Sequence, residues 1–243
     1  MKNIHKDETC VIIGNGPSLA DVPLEFLNKY PSFACNQIRM LEGFQPTYFS
    51  TIGANMLKTV AQREAMRPTI ENARMAFVNV QCADYYKYDH IVPILGSGAP
   101  GAHQRLEYKL GGEYDLKKRM LFRLQPTAEV YQGKPFVVVG VGFTQTYINL
   151  QIAYWMGFQT ALMVGIDHNF GDPDRHFYKD DEIEEFHLSE QREEERAYRL
   201  EIGADWAYSQ ARGAYEADGR QILNLTPDSK AKALEFGNIK DWM

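Results

Sequence analysis

The sequence lacks long hydrophobic runs. Its longest apolar stretches, such as Phe136–Val139 and Ala161–Val164, fall far short of the roughly 20 residues that a membrane-spanning helix needs. Met1–Thr9 is polar and charged, without the apolar segment of a signal peptide. We therefore expect no membrane span and a cytoplasmic location.

The sequence also has few cysteines and no excess of positive charge. The three cysteines, Cys10, Cys35 and Cys82, are odd in number and match no zinc-site spacing, which predicts reduced, buried thiols. The 26 basic residues are outnumbered by 32 acidic ones, for a net charge of −6. Because a nucleic-acid-binding surface must be basic to neutralise phosphates, this balance disfavours nucleic acid as the main partner.

Short apolar segments bounded by turn residues alternate with helical segments along the 243 residues. This alternation predicts a single domain, residues 1–243, built on an open, mainly parallel α/β sheet with helices on both faces. Strands are expected at Thr9–Ile13, Ser32–Cys35, Thr47–Ser50, Met75–Val80, Ile91–Ile94, Phe136–Gly140, Thr160–Val164 and Gln221–Asn224, and helices at Leu24–Lys29, Asn55–Glu64 and Thr144–Met156.

Two segments depart from this alternation. Glu107–Gln125 mixes lysine and arginine with aromatic residues, and we interpret it as a lid or insert beside the sheet, with a solvated excursion as the alternative. The charge-rich Glu182–Ala217 predicts one or two exposed helices. Their apolar stripe is expected to run through Tyr198, Ile202, Trp206 and Tyr215.

Polar and glycine-rich segments follow the first two strands. Glycines in the turn Gly14–Leu19 can direct backbone N–H groups toward a phosphate, although Leu19 replaces the third glycine of the dinucleotide fingerprint and no Gly-Lys-Ser/Thr follows. A nicotinamide or flavin site is therefore disfavoured, and a P-loop is excluded. The alternative to a phosphate-binding turn is a plain tight turn. Asn36 and Gln37 lie at the end of the second strand, and ligands bind at the carboxyl ends of strands in open sheets. The two side chains either form hydrogen bonds to a base or sugar or only stabilise the turn.

The densest group of chemically active residues lies in the loop after the strand Thr160–Val164. This loop contains Asp167, His168, Asn169, Asp172, Asp174, Arg175, His176 and Tyr178. His176 is a candidate general base, oriented by an aspartate. The carboxylates equally suit magnesium, and a plain surface loop is the third interpretation. Farther on, Thr226 and Ser229 either contact a ligand or cap a turn, and His187 on the acidic helix is expected to be solvated.

In their order along the chain, these segments resemble two related groups: the small bacterial sialyltransferases of glycosyltransferase family 42 and the MptE-like proteins. The resemblance covers about residues 9 to 236. It is carried by Ile13–Leu19, Cys35–Gln37, Thr144–Phe158 leading into Val164–Asp167, His176–Tyr178 and Asn224–Ser229. It implies a nucleotide-binding domain with a Rossmann-like sheet in a GT-A-like variant.

The resemblance also implies roles for single residues. Its nucleotide site would comprise Gly14, Asn15, Gly16, Ser18, Asn36, Gln37, Thr144, Gln145, Thr146, Gly165, His168, Asn169, Thr226 and Ser229. The base would be His176 or else His187, with Tyr178 or Phe177 assisting the leaving phosphate and Asp167 as a further catalytic residue. Gln145 and Asn169 depart from the sialyltransferase pattern, and the stretch Gly165–His168 is closer to the MptE-like group.

Three functions follow as expectations. The first is a glycosyltransferase of surface polysaccharide or glycoconjugate synthesis, moving a CMP-linked acidic sugar to a glycan or small-molecule acceptor without a metal cofactor. The second is an MptE-like 6-hydroxymethylpterin diphosphokinase, which would use ATP and magnesium. The third is a non-catalytic member that binds a nucleotide or glycan in a larger assembly. The sequence is also compatible with a homo-oligomer.

Overall fold

The computed structural model describes residues 1–97, 128–131, 134–140, 142–172, 174–179 and 190–243. The strands within these residues are β1 (Thr9–Ile13), β2 (Ser32–Cys35), β3 (Tyr48–Thr51), β4 (Met75–Asn79), β5 (Ile91–Ser97), β6 (Ala128–Tyr131), β7 (Lys134–Gly140), β8 (Thr160–Val164), β9 (Gln221–Asn224) and β10 (Glu235–Phe236). The α-helices are α1 (Leu24–Lys29), α2 (Val60–Asn72), α3 (Gln145–Met156) and α4 (Glu190–Ala217).

The ten strands of the described residues form one sheet in the order β10-β9-β8-β1-β2-β3-β4-β5-β7-β6. All neighbouring pairs are parallel except β6 with β7. This confirms the predicted open, mainly parallel α/β sheet. The chain runs outward from β1 to the β6–β7 edge and then returns to β8 on the other side of β1. The boundary between β1 and β8 is therefore the topological switch point, where ligands bind in such folds. The predicted insert at 107–125 lies outside the described residues.

The two faces of the sheet bury separate apolar layers, as the alternation in β1 shows. Cys10 and Ile12 pack with α3 and α4, whereas Val11 and Ile13 pack with α1 and α2. Strands buried on both faces read as continuous apolar runs, which is why β1 and β8 were predicted with the correct bounds. The three cysteines are free and buried, as predicted.

Of the predicted apolar stripe on helix α4, Tyr215 is buried but Ile202 and Trp206 are not, and the side chain of Tyr198 lies outside the described residues. Ile202 and Trp206 are 54% and 39% exposed. The buried stripe consists of Ala204, Ala207, Tyr208, Ala211 and Tyr215. Small residues at these positions let α4 approach α3 closely, so α3 is buried on nearly all sides rather than on one inner face. The helix begins at Glu190, and residues 182–189 lie outside the described part of the chain.

Helix α2 lies farther along the chain than the sequence predicted. Instead of Asn55–Glu64, α2 spans Val60–Asn72 and includes Pro68. Thr59 begins it through a capping box, because its hydroxyl accepts from Gln62 N at 3.1 Å while Gln62 Oε1 accepts from Thr59 N at 2.9 Å. The short edge strands β6 and β10 were not predicted.

Candidate functional site

A cavity of about 330 Å³ opens at the carboxyl ends of β1, β2 and β8, at the switch point of the sheet. Its volume lies within the range of small-molecule sites, about 300–1,000 Å³. Most of the predicted site residues line it: Gly14, Asn15, Gly16, Asn36, Thr144, Gln145, Thr146, Gly165, Asp167, His168, Asn169, His176 and Tyr178. Segments that are far apart in sequence thus meet where the strand pattern predicted a site.

Four predicted residues, Ser18, Gln37, Thr226 and Ser229, are not among the lining residues. Ser18 bonds to Asp167, and Gln37 is buried at 4% exposure. Thr226 accepts a hydrogen bond from Ile166 N at 3.0 Å, and Ser229 donates to the Ile166 carbonyl. The contacts of Ser18, Thr226 and Ser229 hold the loop after β8, which lines the cavity. His187 lies outside the described residues.

The glycines of the turn after β1 serve close packing of two loops. A β-carbon on Gly14 would stand 2.3 Å from the Gly165 carbonyl oxygen, and one on Gly16 would stand 1.9 Å from Asp167 Oδ2. The backbone nitrogens of Gly14 and Gly16 donate to the carbonyls of Val164 and Gly165 at 2.9 and 3.0 Å. Because these N–H groups already have partners, the glycine turn does not offer them to a phosphate.

The loop after β8 is fixed from both sides. On one side, Ser18 donates to the Asp167 carboxylate from its backbone nitrogen at 3.2 Å and from its hydroxyl at 2.8 Å. On the other side, the backbone nitrogen of Lys230 donates to the Asp167 carbonyl at 3.0 Å. Asp167 therefore lines the cavity with a carboxylate that is held in place by the neighbouring turn.

Helix α3 begins at the cavity. The Thr144 hydroxyl caps it by accepting from Tyr147 N at 3.3 Å, while Thr146 Oγ1 lies 2.6 Å from the hydroxyl of Tyr208 on α4. Burial raises the pKa of that tyrosine, so the hydroxyl stays protonated. Gln145 bonds to Ser50 Oγ at 2.9 Å. The first backbone N–H groups of a helix lack intrahelical partners, so those of α3 give this wall a positive electrostatic potential.

The segment 175–178 contributes three residues to the cavity lining. Phe177 anchors them, because its backbone nitrogen donates to the Asn15 carbonyl at 3.0 Å and its ring joins the apolar layer of α1 and α2. His176 and Tyr178 line the cavity, with their rings stacked at a centroid distance of 4.8 Å and an angle of 11°. Arg175 also lines it. Of the two aromatic residues considered for the leaving group, Tyr178 is the one at the cavity.

Three residues around the cavity adopt positive φ without being glycine: Asn36 at 49°, Phe143 at 63° and His168 at 60°. Such conformations are uncommon outside glycine and cluster where function constrains the backbone. Phe143 is accommodated by Gly203 on α4, where a β-carbon would stand 2.4 Å from the Phe143 ring. Helix α4 therefore needs a glycine at position 203 to pack against Phe143 at the cavity.

The fold is similar to that of a sialyltransferase. The solved structure is the sialyltransferase CstII from Campylobacter jejuni in complex with a substrate analogue, cytidine-5′-monophosphate. It matches with a TM-score of 0.51 and 13% sequence identity, over 95% of this chain and 85% of that chain. No protein-family model and no curated protein matches the sequence. The likeness confirms the expected sialyltransferase-like fold, while the MptE-like resemblance stays a prediction.

Sequence reasoning did not assign several lining residues to the site. These are Cys35, Met56, Phe143, Ile166, Phe170, Leu200 and Tyr208. Most are apolar, and apolar residues next to a strand or on a helix look like core residues in a sequence. The position of Tyr208 could have been predicted, because it lies in sequence among the alanines of α4 that pack in the same apolar layer as α3.

Two further observations concern only the described part of the chain. Its helices include none with both the length and the apolar composition to cross a membrane. Its histidine, cysteine and acidic side chains form no group of three or more that could hold a metal ion.

Proposed function

We propose that this protein is a glycosyltransferase that transfers an acidic sugar from a CMP-linked donor to a hydroxyl of a glycan or small-molecule acceptor. The observation that carries the proposal is the cavity at the β1–β8 switch point, which is lined by His176, Tyr178 and Arg175 together with strand-end amides and the first turn of α3. The likeness to a sialyltransferase solved with cytidine-5′-monophosphate supports the choice of nucleotide. The cytoplasmic location and the homo-oligomer remain predictions.

The charges around the cavity favour anionic ligands. Arg175 brings a positive charge to the cavity, and the N-terminus of α3 carries the positive end of the helix dipole. A CMP-linked acidic sugar has two anionic groups, the phosphate and the sugar carboxylate, which suits a cavity lined by two positive elements. Asn15 and Asn36 at the ends of β1 and β2 supply amide groups for the nucleoside.

In the proposed reaction, the acceptor oxygen attacks the anomeric carbon and the bond from that carbon to the phosphate oxygen breaks. His176 takes the proton from the attacking hydroxyl, and CMP leaves with the electrons of the broken bond. Arg175 and the Tyr178 hydroxyl stabilise the negative charge that grows on the phosphate, an effect worth about 3–4 kcal/mol for one well-placed donor. Asp167 acts as a positioning residue through Ser18.

Binding is tested first, by thermal unfolding with CMP, UMP, GMP, AMP and ATP, with and without magnesium. A ligand at about 100 times its Kd should stabilise the protein by roughly 2.7 kcal/mol. We expect stabilisation by CMP without metal. Stabilisation only by ATP with magnesium would overturn the proposal in favour of the diphosphokinase, and no response to any nucleotide would overturn it as well.

Catalysis is tested by turnover of a CMP-linked sialic acid, as transfer or as hydrolysis to free CMP. His176→Ala is expected to lower kcat by about 100- to 10,000-fold with little change in CMP affinity. His90→Gln is the control, because His90 lies outside the cavity and a glutamine amide can replace its Nε2 contact with the Ile70 carbonyl at 3.0 Å. A His176→Ala variant that keeps kcat within a few-fold of wild type would contradict His176 as the base.

A further inference from the structure

One wall of the cavity contains a buried histidine nitrogen without a protein partner. His168 lines the cavity and is 5% exposed, and its Nδ1 has no hydrogen-bond partner among the described residues. Buried side-chain polar atoms are nearly always paired with protein, water or ligand. At a residue that lines a cavity, a bound ligand is one of the groups that can complete this pairing.

The hydrogen-bonding role of this nitrogen is set by the other nitrogen of the ring. His168 Nε2 lies 3.0 Å from the carbonyl oxygen of Glu201 on α4, and a carbonyl oxygen can only accept. Nε2 therefore carries a proton. In the neutral ring, Nδ1 then has a lone pair and accepts a hydrogen bond.

The ring is also held in one position. The backbone of His168 has a φ of 60°, and its ring packs edge-to-face against Phe170 at a centroid distance of 4.9 Å. The carboxylate of Asp205 lies 3.9 Å from Nε2 on the same side as the Glu201 contact. A rigid acceptor whose direction is set by two elements is suited to selecting a ligand group.

A second acceptor lies across the switch point. Asn15 Nδ2 donates to the Cys35 carbonyl at 3.2 Å, which leaves Asn15 Oδ1 as a buried oxygen without a partner in the described residues. Asn15 follows β1 and His168 follows β8, the two adjacent strands at the switch point. Both unpaired atoms accept hydrogen bonds, so this part of the cavity requires a ligand portion that donates them.

We propose that His168 is a specificity-determining residue whose Nδ1 accepts a hydrogen bond from a ribose hydroxyl or a base amino group of the bound nucleotide. The inference rests on the proposed function for the identity of that ligand. In CMP, the available donors are the ribose hydroxyls and the cytosine amino group. A ligand portion with only acceptors at this position would leave Nδ1 unpaired and would be rejected.

Two variants of His168 separate its two nitrogens. In His168→Gln, the longer amide can still donate to the Glu201 carbonyl, but nothing replaces Nδ1. In His168→Asn, the shorter amide places an oxygen near the Nδ1 position, and asparagine tolerates positive φ. We expect His168→Gln to raise the Kd for CMP by about tenfold and His168→Asn to raise it by less than about threefold, as measured by calorimetry.

The outcomes distinguish this inference from the proposed function. If wild type binds CMP and His168→Gln binds it equally well, or His168→Asn loses as much affinity as His168→Gln, the inference is overturned and the proposed function stands. If wild type does not bind CMP, the proposed function fails. The same pair of variants is then compared on whichever of UMP, GMP or AMP binds, and binding of none overturns both.

A second measurement does not depend on a variant that folds. Nitrogen-15 spectra of the histidines in the wild-type protein should show His168 with a protonated Nε2 and an unprotonated Nδ1. Addition of CMP should shift the Nδ1 resonance, because a new hydrogen bond changes its shielding. A His168 Nδ1 that is protonated, or that does not respond to a bound nucleotide, would contradict the inference.

Discussion

Ser18 donates two hydrogen bonds to the carboxylate of Asp167, one from its backbone nitrogen at 3.2 Å and one from its hydroxyl at 2.8 Å. The pair joins the turn after β1 to the loop after β8, and so fixes two walls of the cavity relative to each other. Because the backbone donor remains in any Ser18 variant, the contribution of the contact is best tested at Asp167.

Asp167→Asn is expected to lower the free energy of unfolding by about 1–3 kcal/mol, because an amide nitrogen would face the Ser18 donors. Urea denaturation measures the loss. Asp174→Asn removes the same charge from an exposed position of the same loop and should leave stability unchanged. If Asp167→Asn were as stable as wild type but inactive, Asp167 would take part in the chemistry and not only in positioning.

Gly203→Ala is expected to weaken CMP binding and to destabilise the protein by about 1–3 kcal/mol, since the added β-carbon would meet the Phe143 ring at 2.4 Å. Gly213→Ala on the same helix is the control. A β-carbon there has no atom within 4 Å, and the change should stabilise the protein by about 0.5–1 kcal/mol through helix propensity. Equal effects of the two substitutions would show that α4 does not need a glycine against Phe143.

His5→Ala is expected to lower the free energy of unfolding by about 2–4 kcal/mol. His5 is 4% exposed, stacks on Phe158 at 4.3 Å, and bonds through its two nitrogens to Glu8 and Tyr48. The substitution removes the stack and leaves a buried hydroxyl unpaired. Lys2→Ala, at an exposed position in the same segment, should have no effect in the same denaturation experiment. Unchanged stability of His5→Ala would mean that the N-terminal segment is not docked on the sheet.

Stability is expected to fall at alkaline pH in part through Cys35. Burial raises the pKa of its thiol from 9.0 to about 12. The folded protein therefore keeps a proton that the unfolded chain loses, so the contribution is complete below pH 9 and is lost as the pH rises to about 12. One such proton changes the free energy of unfolding by at most about 1.4 kcal/mol per pH unit.

Cys35→Ala tests this effect when its stability is compared with wild type at several pH values. At neutral pH, the difference gives the packing loss alone. From pH 9 upward, the free energies of unfolding of wild type and Cys35→Ala should converge, because only the wild type loses the contribution of the thiol. A constant difference across the range would contradict a buried, protonated Cys35.

The sheet could be predicted because its central strands are short, apolar on both faces and bounded by turn residues, as Thr9–Ile13 shows. The place of the site followed from the same pattern, since parallel strands put their carboxyl ends at one edge. The role of the glycine turn did not follow. Its sequence is equally compatible with phosphate binding, and only the position of Gly165 against Gly14 shows that the turn packs against another loop.

Other features depended on partners that are distant in sequence. The partners of His5 could not be predicted from the residues around it, because Tyr48 and Phe158 come much later in the chain. On α4, Tyr215 is buried as predicted, but Ile202 and Trp206 are exposed because alanines fill most of the buried face. Alanine is favoured where two helices must approach closely, and hydropathy alone does not show where that happens.

The strand order also has a consequence for synthesis of the chain. β1 lies between β2 and β8, so during synthesis one edge of β1 stays unpaired until residue 164 has been made. An unpaired edge strand is a template for pairing with other chains, so nascent fragments that end before β8 should be prone to association. Because the lining of the cavity extends from Gly14 to Tyr208, its ligand can recognise only a chain that has been made at least to residue 208. Ligand binding therefore reports that β8 has paired with β1 and that α4 has packed at the cavity.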